Sequence, residues 1–450
     1  MITRLSLLVL LSSSLAASAA DWLRFRGPNG SGIAPDDKPV PVEWSATKNL
    51  KWKTTLPGPG SSSPIVVEDR IFVTCWSGYA TEGQQDTGDI TALKRHLVCV
   101  DRATGNILWE RAVPAKQPEE RYGGMFAQNG YASHTPVSDG KNVFAFFGKS
   151  GVHAFDLEGK PLWQADVGDW DDRRGWGTAS SPILHGDVLI VPAFVESQAM
   201  FGFDKTTGKQ LWKAPSEGFA STWGTPVIAK GPNGDELDIA VPGEVWGFNP
   251  DTGKLRWYAT GLQSDSVCNS LVTDGQIVYA MSERGGGSVA IKAGGKGDVS
   301  ATNTLWTGPN GSRIATPILW EDRLYWISGS LATCRDAKTG AEIYSERIES
   351  TGGTAAAAAP QGGGQGIGGG GGRRGGGMSG GDYASPVAAN GHLYHVSRRG
   401  EVLVVKLGPK FELLSRNKIE GDTSDHSATP AISNGQLFLR SAKTLYCIGE

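Results

Sequence analysis

The chain has 450 residues, a formal net charge of −3 from 43 Lys and Arg against 46 Asp and Glu, and an unusual 63 Gly and 15 Trp. Acids and bases are interspersed, so no cationic face for nucleic acid or an anionic membrane is visible. So much glycine without a collagen period points to many tight turns, to a low-complexity segment, or to both.

Residues 1–20 combine Arg4, the apolar run "LSLLVLL" and the small-residue ending "AASAA". This is the pattern of a cleaved secretory signal, with the cut after Ala19 or Ala20. No other stretch approaches the ~18 apolar residues of a membrane span, and no Cys near the cut offers a lipid anchor. The expected location is therefore periplasmic or secreted, with no membrane span. Residues 21–47 form an N-terminal extension that opens "DWLRFRGPNGSGIAP".

From residue 48 a repeat takes over. Ser/Thr-Pro followed by apolar residues begins at Ser63, Thr135, Ser181, Thr225, Thr316, Ser385 and Thr429, with Ser270-Leu271 filling the one gap; the steps are 72, 46, 44, 45, 46, 69 and 44 residues. A period in the mid-forties with four short strands each is the mark of propeller blades. The unit around Ser181 shows them: strand A in "SPILHG", B in "DVLIVPAF", C in "AMFGFD" and, after the turn "KTTGK", D in "QLWKA". Pro at the head of a strand costs no ladder hydrogen bond, and Gly supplies the positive φ of the C–D hairpin.

Eight starts give an all-β, eight-bladed propeller of four-stranded antiparallel blades. The last copy ends at "LYCIGE" without a strand D, whereas "KNLKWKTTLPG" at 48–58 is a strand D with no blade of its own. The N-terminal strand is therefore expected to complete blade 8 and close the ring, removing an open edge. Trp52, Trp109, Trp163, Trp212, Trp257 and Trp306 fall at one position of strand D, with Tyr344 in blade 6 and a degenerate blade 7. A flat aromatic there fills the seam between neighbouring sheets, which makes these residues packing and not a cofactor box. Cys99, Cys334 and Cys447 occupy a slot that takes Ala154 or Gly202 in other copies, so the five cysteines read as small buried thiols. The domain organisation is thus a signal at 1–20, the extension at 21–47, and one propeller over 48–450 interrupted by a Gly-rich insertion at 350–381, whose composition cannot build a core and implies disorder.

The D-x-x-T-G-x-x-x-W turn with Ser/Thr-Pro strand starts resembles the pyrroloquinoline-quinone (PQQ) repeat of quinoprotein-like eight-bladed propellers. The W-x-x-F-R-G-P-x-G-x-G run from Trp22 is similar to the opening of exported bacterial members. The resemblance covers nearly all of residues 21–450. It implies either a quinoprotein dehydrogenase or a non-catalytic scaffold such as the outer-membrane-barrel assembly lipoprotein. In the dehydrogenases the resemblance implies a quinone under a disulfide of adjacent cysteines, beside calcium and a catalytic Asp. This chain has no adjacent cysteine pair, and no calcium ligands can be placed by motif. The expectation is a non-catalytic binding scaffold with no cofactor; the alternative is a PQQ- and calcium-dependent oxidoreductase acting on alcohols or sugars.

The long connections, 77–94, Trp109 to Pro136, Trp163 to Pro182 and Tyr344 to Pro386, all belong to B–C or D–A links and share one face, while the opposite turns are expected to stay short. Function concentrates on such loops. Residues just before each strand A should ring the mouth of the channel: Tyr131, His134, Trp176, Trp223, Cys268, Asn269, Arg313, Tyr383, and Asp425 with His426, with Arg173 and Arg174 reaching over it. Aromatic and charged groups together suit a small polar ligand or a protein segment. No metal site, no catalytic residue and no nucleic-acid partner is expected, and the protein should be a monomer.

Overall fold

A computed structural model describes residues 21–35, 38–81, 88–122, 126, 130–282, 287–309, 311–349 and 382–450. Residues 1–20, expected from the sequence to be a secretory signal, part of the 77–94 insertion and the Gly-rich stretch at 350–381 lie outside the described residues. Eight antiparallel sheets stand around one axis. Blade 3 runs Ile183–His185, Val188–Ala193, Ala199–Asp204 and Gln210–Pro215, within a residue or two of the strands expected from the sequence. Blade 8 takes Ala431–Ser433, Gln436–Arg440 and Thr444–Ile448 from the C-terminal region and Leu50–Thr55 from the N-terminal region, with Trp52 opposite Cys447. The ring is closed as expected. No described helix is long and apolar enough to cross a membrane.

The strand D tryptophans act between blades. Nε1 of Trp52, Trp109, Trp163, Trp212 and Trp306 donates to a carbonyl in the next blade's C–D turn, at 2.8–3.1 Å. Their rings lie on the turn glycine of that same blade: a Cβ built on Gly253, whose φ is +66°, would stand 2.4 Å from Trp212. Gly therefore serves twice, giving the left-handed turn and the room for the indole. Within each blade the indole also covers the small slot, Gly202 under Trp212 and Cys99 opposite Trp109. All five cysteines are free, and all but Cys268 are buried.

Three seams depart from this rule; in blade 6 Tyr344 takes the place of the indole and packs on Phe411 at 6.1 Å. The C–D connection of blade 5, residues 293–303, is long, contrary to the expected short turns on that face. It returns Gly297–Asp298 as a fifth strand on blade 4, parallel to Trp257 and Tyr258, and the Trp257 indole turns instead to Glu236 Oε2 at 2.7 Å. In blade 7, Ser415 stands where the aromatic belongs, opposite Val404. There the N-terminal extension fills the gap. Trp44 and Val40 are buried between blade 7 residues such as Tyr394 and Val404 and blade 8 residues such as Phe438. Asn417 clamps the strap through Trp44 N and Val42 O, both at 2.9 Å.

Candidate functional site

The axial channel is built from the strand A starts. Along seven of the eight steps the backbone N–H of the Ser or Thr donates to the hydroxyl of its counterpart in the next blade: Ser63 to Thr135, Thr135 to Ser181, Ser181 to Thr225, and so on through Ser270, Thr316 and Ser385 to Thr429, at 2.9–3.0 Å. The Ser/Thr-Pro motif is thus a circumferential hydrogen-bond ring as well as a strand start. The hydroxyl matters as an acceptor for a buried N–H that the sheet ladder does not reach.

All eight hydroxyl residues line one cavity of about 180 Å³. Strand alternation extends upstream of each start. The residue two before the ring also faces the axis, as in Ser61, Ser133, Ala179, Trp223, Cys268, Ile314, Tyr383 and Ser427, whereas the residue between them does not line the cavity. Phe25, from the N-terminal extension, forms the floor.

Below that floor the extension plugs the channel. Trp22 pairs with Val66 of blade 1, Leu23 O accepts from Ser138 of blade 2, Asn29 bonds the Ile228 backbone of blade 4, and Gly32 and Ala34 pair with Ala388 of blade 7. Arg24 donates to Pro226 O at 2.9 Å. Arg26 is fully buried and spends its five N–H groups on the carbonyls of Gly30, Ser31, Thr316, Pro317 and Pro386. Burial pushes the pKa of Arg26 down to about 9 and that of Arg24 to about 10, so both stay cationic at neutral pH. At Gly32, φ +75°, any Cβ would meet the Arg26 guanidinium at 2.7 Å. The partners on strand A lie one to three residues past the hydroxyl ring, so the plug closes the A–B end and the cup opens on the long-loop face.

The rim combines Phe126, Trp176, Trp223, Arg313 and Tyr383. Phe126 and Trp176 stack at 6.0 Å and 8°, Trp176 lies 4.9 Å from Trp223, and Trp223 Nε1 is anchored on Gly177 O at 2.7 Å. Arg174 stands outside the lining: it covers Trp176 at 5.2 Å and is held by Ser221 Oγ at 2.7 Å and Asp265. Arg398 covers Tyr383 at 4.8 Å and is itself paired with Asp425.

Of the twelve residues singled out from the sequence, Trp176, Trp223, Cys268, Arg313 and Tyr383 line the cup, and Asp425 pairs with Arg398 outside it. Tyr131 does not; it is buried among Trp76, Tyr79 and Tyr122, its hydroxyl donating to Glu120 O at 3.1 Å. His134 and Asn269 sit one residue before the ring and turn into the wall. His134 holds Ser180 O through Nδ1 at 2.8 Å, with burial pushing its pKa down to about 3, and Asn269 donates to Ala315 O at 2.8 Å. His426 is buried beside Ser424 O, and the exposed Arg173 borders a separate surface depression with Arg174. Phe25, Phe126 and the ring hydroxyls were missed. The alternation just described would have found the hydroxyls; nothing periodic marks Phe25 or Phe126. The cup thus holds hydroxyls, one guanidinium and aromatic faces, and neither a carboxylate nor an imidazole lines it among the described residues. No three His, Cys, Asp or Glu side chains cluster as metal ligands there or elsewhere in the described residues.

The same architecture recurs in solved structures of low identity. BamB from Moraxella catarrhalis is 13% identical, with 89% of this chain and 97% of that one covered at a TM-score of 0.56. A europium-containing methanol dehydrogenase is 12% identical, covering 95% and 90% at 0.62. Quinohemoprotein alcohol dehydrogenase from Comamonas testosteroni is 11% identical, covering 97% and 82% at 0.60. No curated protein matches the chain in sequence. Residues 148–408, more than half of the chain, match the model of one family, and the chain belongs to that family: PQQ_2, outer membrane protein assembly factor BamB.

Proposed function

We propose that this protein is a non-catalytic binding module, exported and monomeric, which takes a small polar or anionic ligand, or the tip of a partner protein's loop, into the axial cup on its long-loop face. The observation that carries this reading is the cup's lining. Eight hydroxyls ring it, Arg313 supplies one positive charge, and a Phe126–Trp176–Trp223 platform offers a flat apolar wall. Few convergent polar groups against apolar walls are the usual make-up of a ligand site. Seven of the hydroxyls, from Thr135 to Thr429, already accept from a backbone N–H, so each of these keeps its proton to donate. Such a lining favours ligands rich in acceptors, carboxylates above all.

The fold also serves dehydrogenases, and a quinone with calcium is the group it implies. The residues present do not fit that pair. Calcium takes six to eight oxygens with carboxylates prominent among them, and the described lining contains no Asp or Glu. A general base matched to an alcohol would be His or a carboxylate, and the described lining of the cup exposes neither. Adding PQQ and Ca²⁺ to purified protein tests the choice: the expected result is no bound-quinone absorbance and no dye-linked alcohol oxidation. Turnover lost in Arg313→Ala and Tyr383→Phe would replace this reading by the dehydrogenase one.

A further inference from the structure

A second cavity opens on the long-loop face away from the axis, between blades 7, 8 and 1. Its volume is about 700 Å³, and it is lined by Arg398, Arg399, Lys418 and Lys443 with a single carboxylate, Asp425. Pro59, Ala80 and the edge of the buried Trp76 give it an apolar floor. The cations come from three separate connections. Arg398 and Arg399 belong to the B–C turn of blade 7, Lys418 ends strand D of the same blade, and Lys443 lies in the B–C turn of blade 8.

Among the described residues, local carboxylates do not neutralise them. Asp425 is taken by Arg398 and Ser427, Asp382 by His395 and the Arg398 backbone, Glu401 by Arg416, and Asp422 by Tyr446 and Ser424. Glu420 lies outside the lining. Arg399, Lys418 and Lys443 are exposed and make no side-chain hydrogen bond or ion pair with any described residue. On a chain whose net charge is −3, this leaves a local excess of three positive charges over a groove larger than one ion needs. Like charges held together at a concave surface focus their field outward and raise the concentration of the opposite charge.

We propose that this groove is a docking site for an acidic peptide segment of a partner protein. Carboxylates spaced along an extended peptide can meet Arg399, Lys418 and Lys443 in turn, while an apolar side chain between them rests on Pro59 and Ala80. The site is independent of the axial cup, which it does not share a lining residue with.

The test is fluorescence anisotropy of labelled hexaglutamate with the full chain and with the Arg399→Ala/Lys418→Ala/Lys443→Ala variant, whose exposed substitutions leave the blades intact. Hexaglutamate should bind the parent protein at low salt, weaken at about 0.3 M sodium chloride as charges are screened, and lose about tenfold or more in affinity in the triple variant, the combined effect of three exposed charge contacts. Hexaglutamine should not bind, and Lys209→Ala, an exposed lysine of a C–D turn on the opposite face, should bind hexaglutamate like the parent. Equal binding by the triple variant, or no binding of hexaglutamate to the parent, overturns the proposal. So does capture of tripolyphosphate without hexaglutamate, which would assign the groove to phosphate.

Discussion

The two ends of the axial channel use the same side chain for opposite ends. At the closed end, Arg24 and Arg26 are buried without a carboxylate, and the five donors of Arg26 are exhausted on carbonyls of its own segment and of blades 6 and 7. At the open end, Arg174, Arg313 and Arg398 stay partly exposed on a rim of aromatic rings. The difference teaches that an arginine near a channel is not by itself a site. What decides is whether burial has taken its charge out of reach of a ligand.

The comparison breaks hardest at Arg26. Arg26→Met removes five hydrogen bonds and strands the buried carbonyls of Thr316, Pro317 and Pro386, each costing roughly 1–3 kcal/mol. The expected loss is on the order of 4 kcal/mol or more by chemical denaturation. A variant as stable as the parent would show that the plug is dispensable. Next comes Trp44→Ala, in the same N-terminal segment but off the axis, which should cost about 3–5 kcal/mol as a truncated buried aromatic. Trp44→Phe should cost much less, because the indole N–H has no hydrogen-bond partner to lose.

A third effect lies behind the wall of the open end. Burial pushes the pKa of Glu196 up to about 7; Thr178 and the Arg95 guanidinium oppose the shift, and Glu119 adds to it. The folded state therefore holds the proton more tightly than the unfolded chain. That stability is fully present below the usual carboxylate range and is lost as pH rises through about 7, amounting to about 2–3 kcal/mol in all. Melting temperature should fall over this interval in the parent and stay flatter in Glu196→Gln. An unchanged slope would place the titration elsewhere.

The smallest stability effect sharpens the contrast most. Arg313→Ala and Tyr383→Phe, on the rim, should change stability by only about 0.5 kcal/mol, as surface substitutions do, while abolishing retention of small carboxylates in calorimetry. A loss of stability comparable to Arg26→Met would make the rim structural and erase the difference between the two ends.

Blade count, seam aromatics and ring closure were legible because each repeats: a hydroxyl, a turn and an indole recur at fixed offsets, and local rules decide them. The plug was not, since Arg26 meets partners some 290 and 360 positions away, and such contacts leave no period in the sequence. The long C–D link of blade 5 escaped because its length was judged against D–A loops alone. Half of the cup was lost to a phase error. Counting back from each strand start reaches Trp223 and Tyr383 two residues upstream, but it also sweeps in His134 and Asn269, which the pleat turns the other way. Tyr131 failed for another reason: four aromatic residues on neighbouring loops cover one another before any of them reaches the axis.

Ring closure also sets a schedule. Strand Leu50–Thr55 is made well before its partner, Thr444–Ile448, which lies about 390 residues further along the chain. At ribosomal speeds of about 5–20 residues per second the first strand waits roughly 20–80 s for a mate. An unpaired strand is an invitation to the wrong neighbour for all of that time. Its sequence, Leu-Lys-Trp-Lys-Thr-Thr, places Lys51 and Lys53 on either side of the indole and keeps both exposed in the finished blade. Charged residues flanking an apolar strand discourage edge-to-edge aggregation, so the two lysines guard the chain during birth, before there is any fold for them to stabilise.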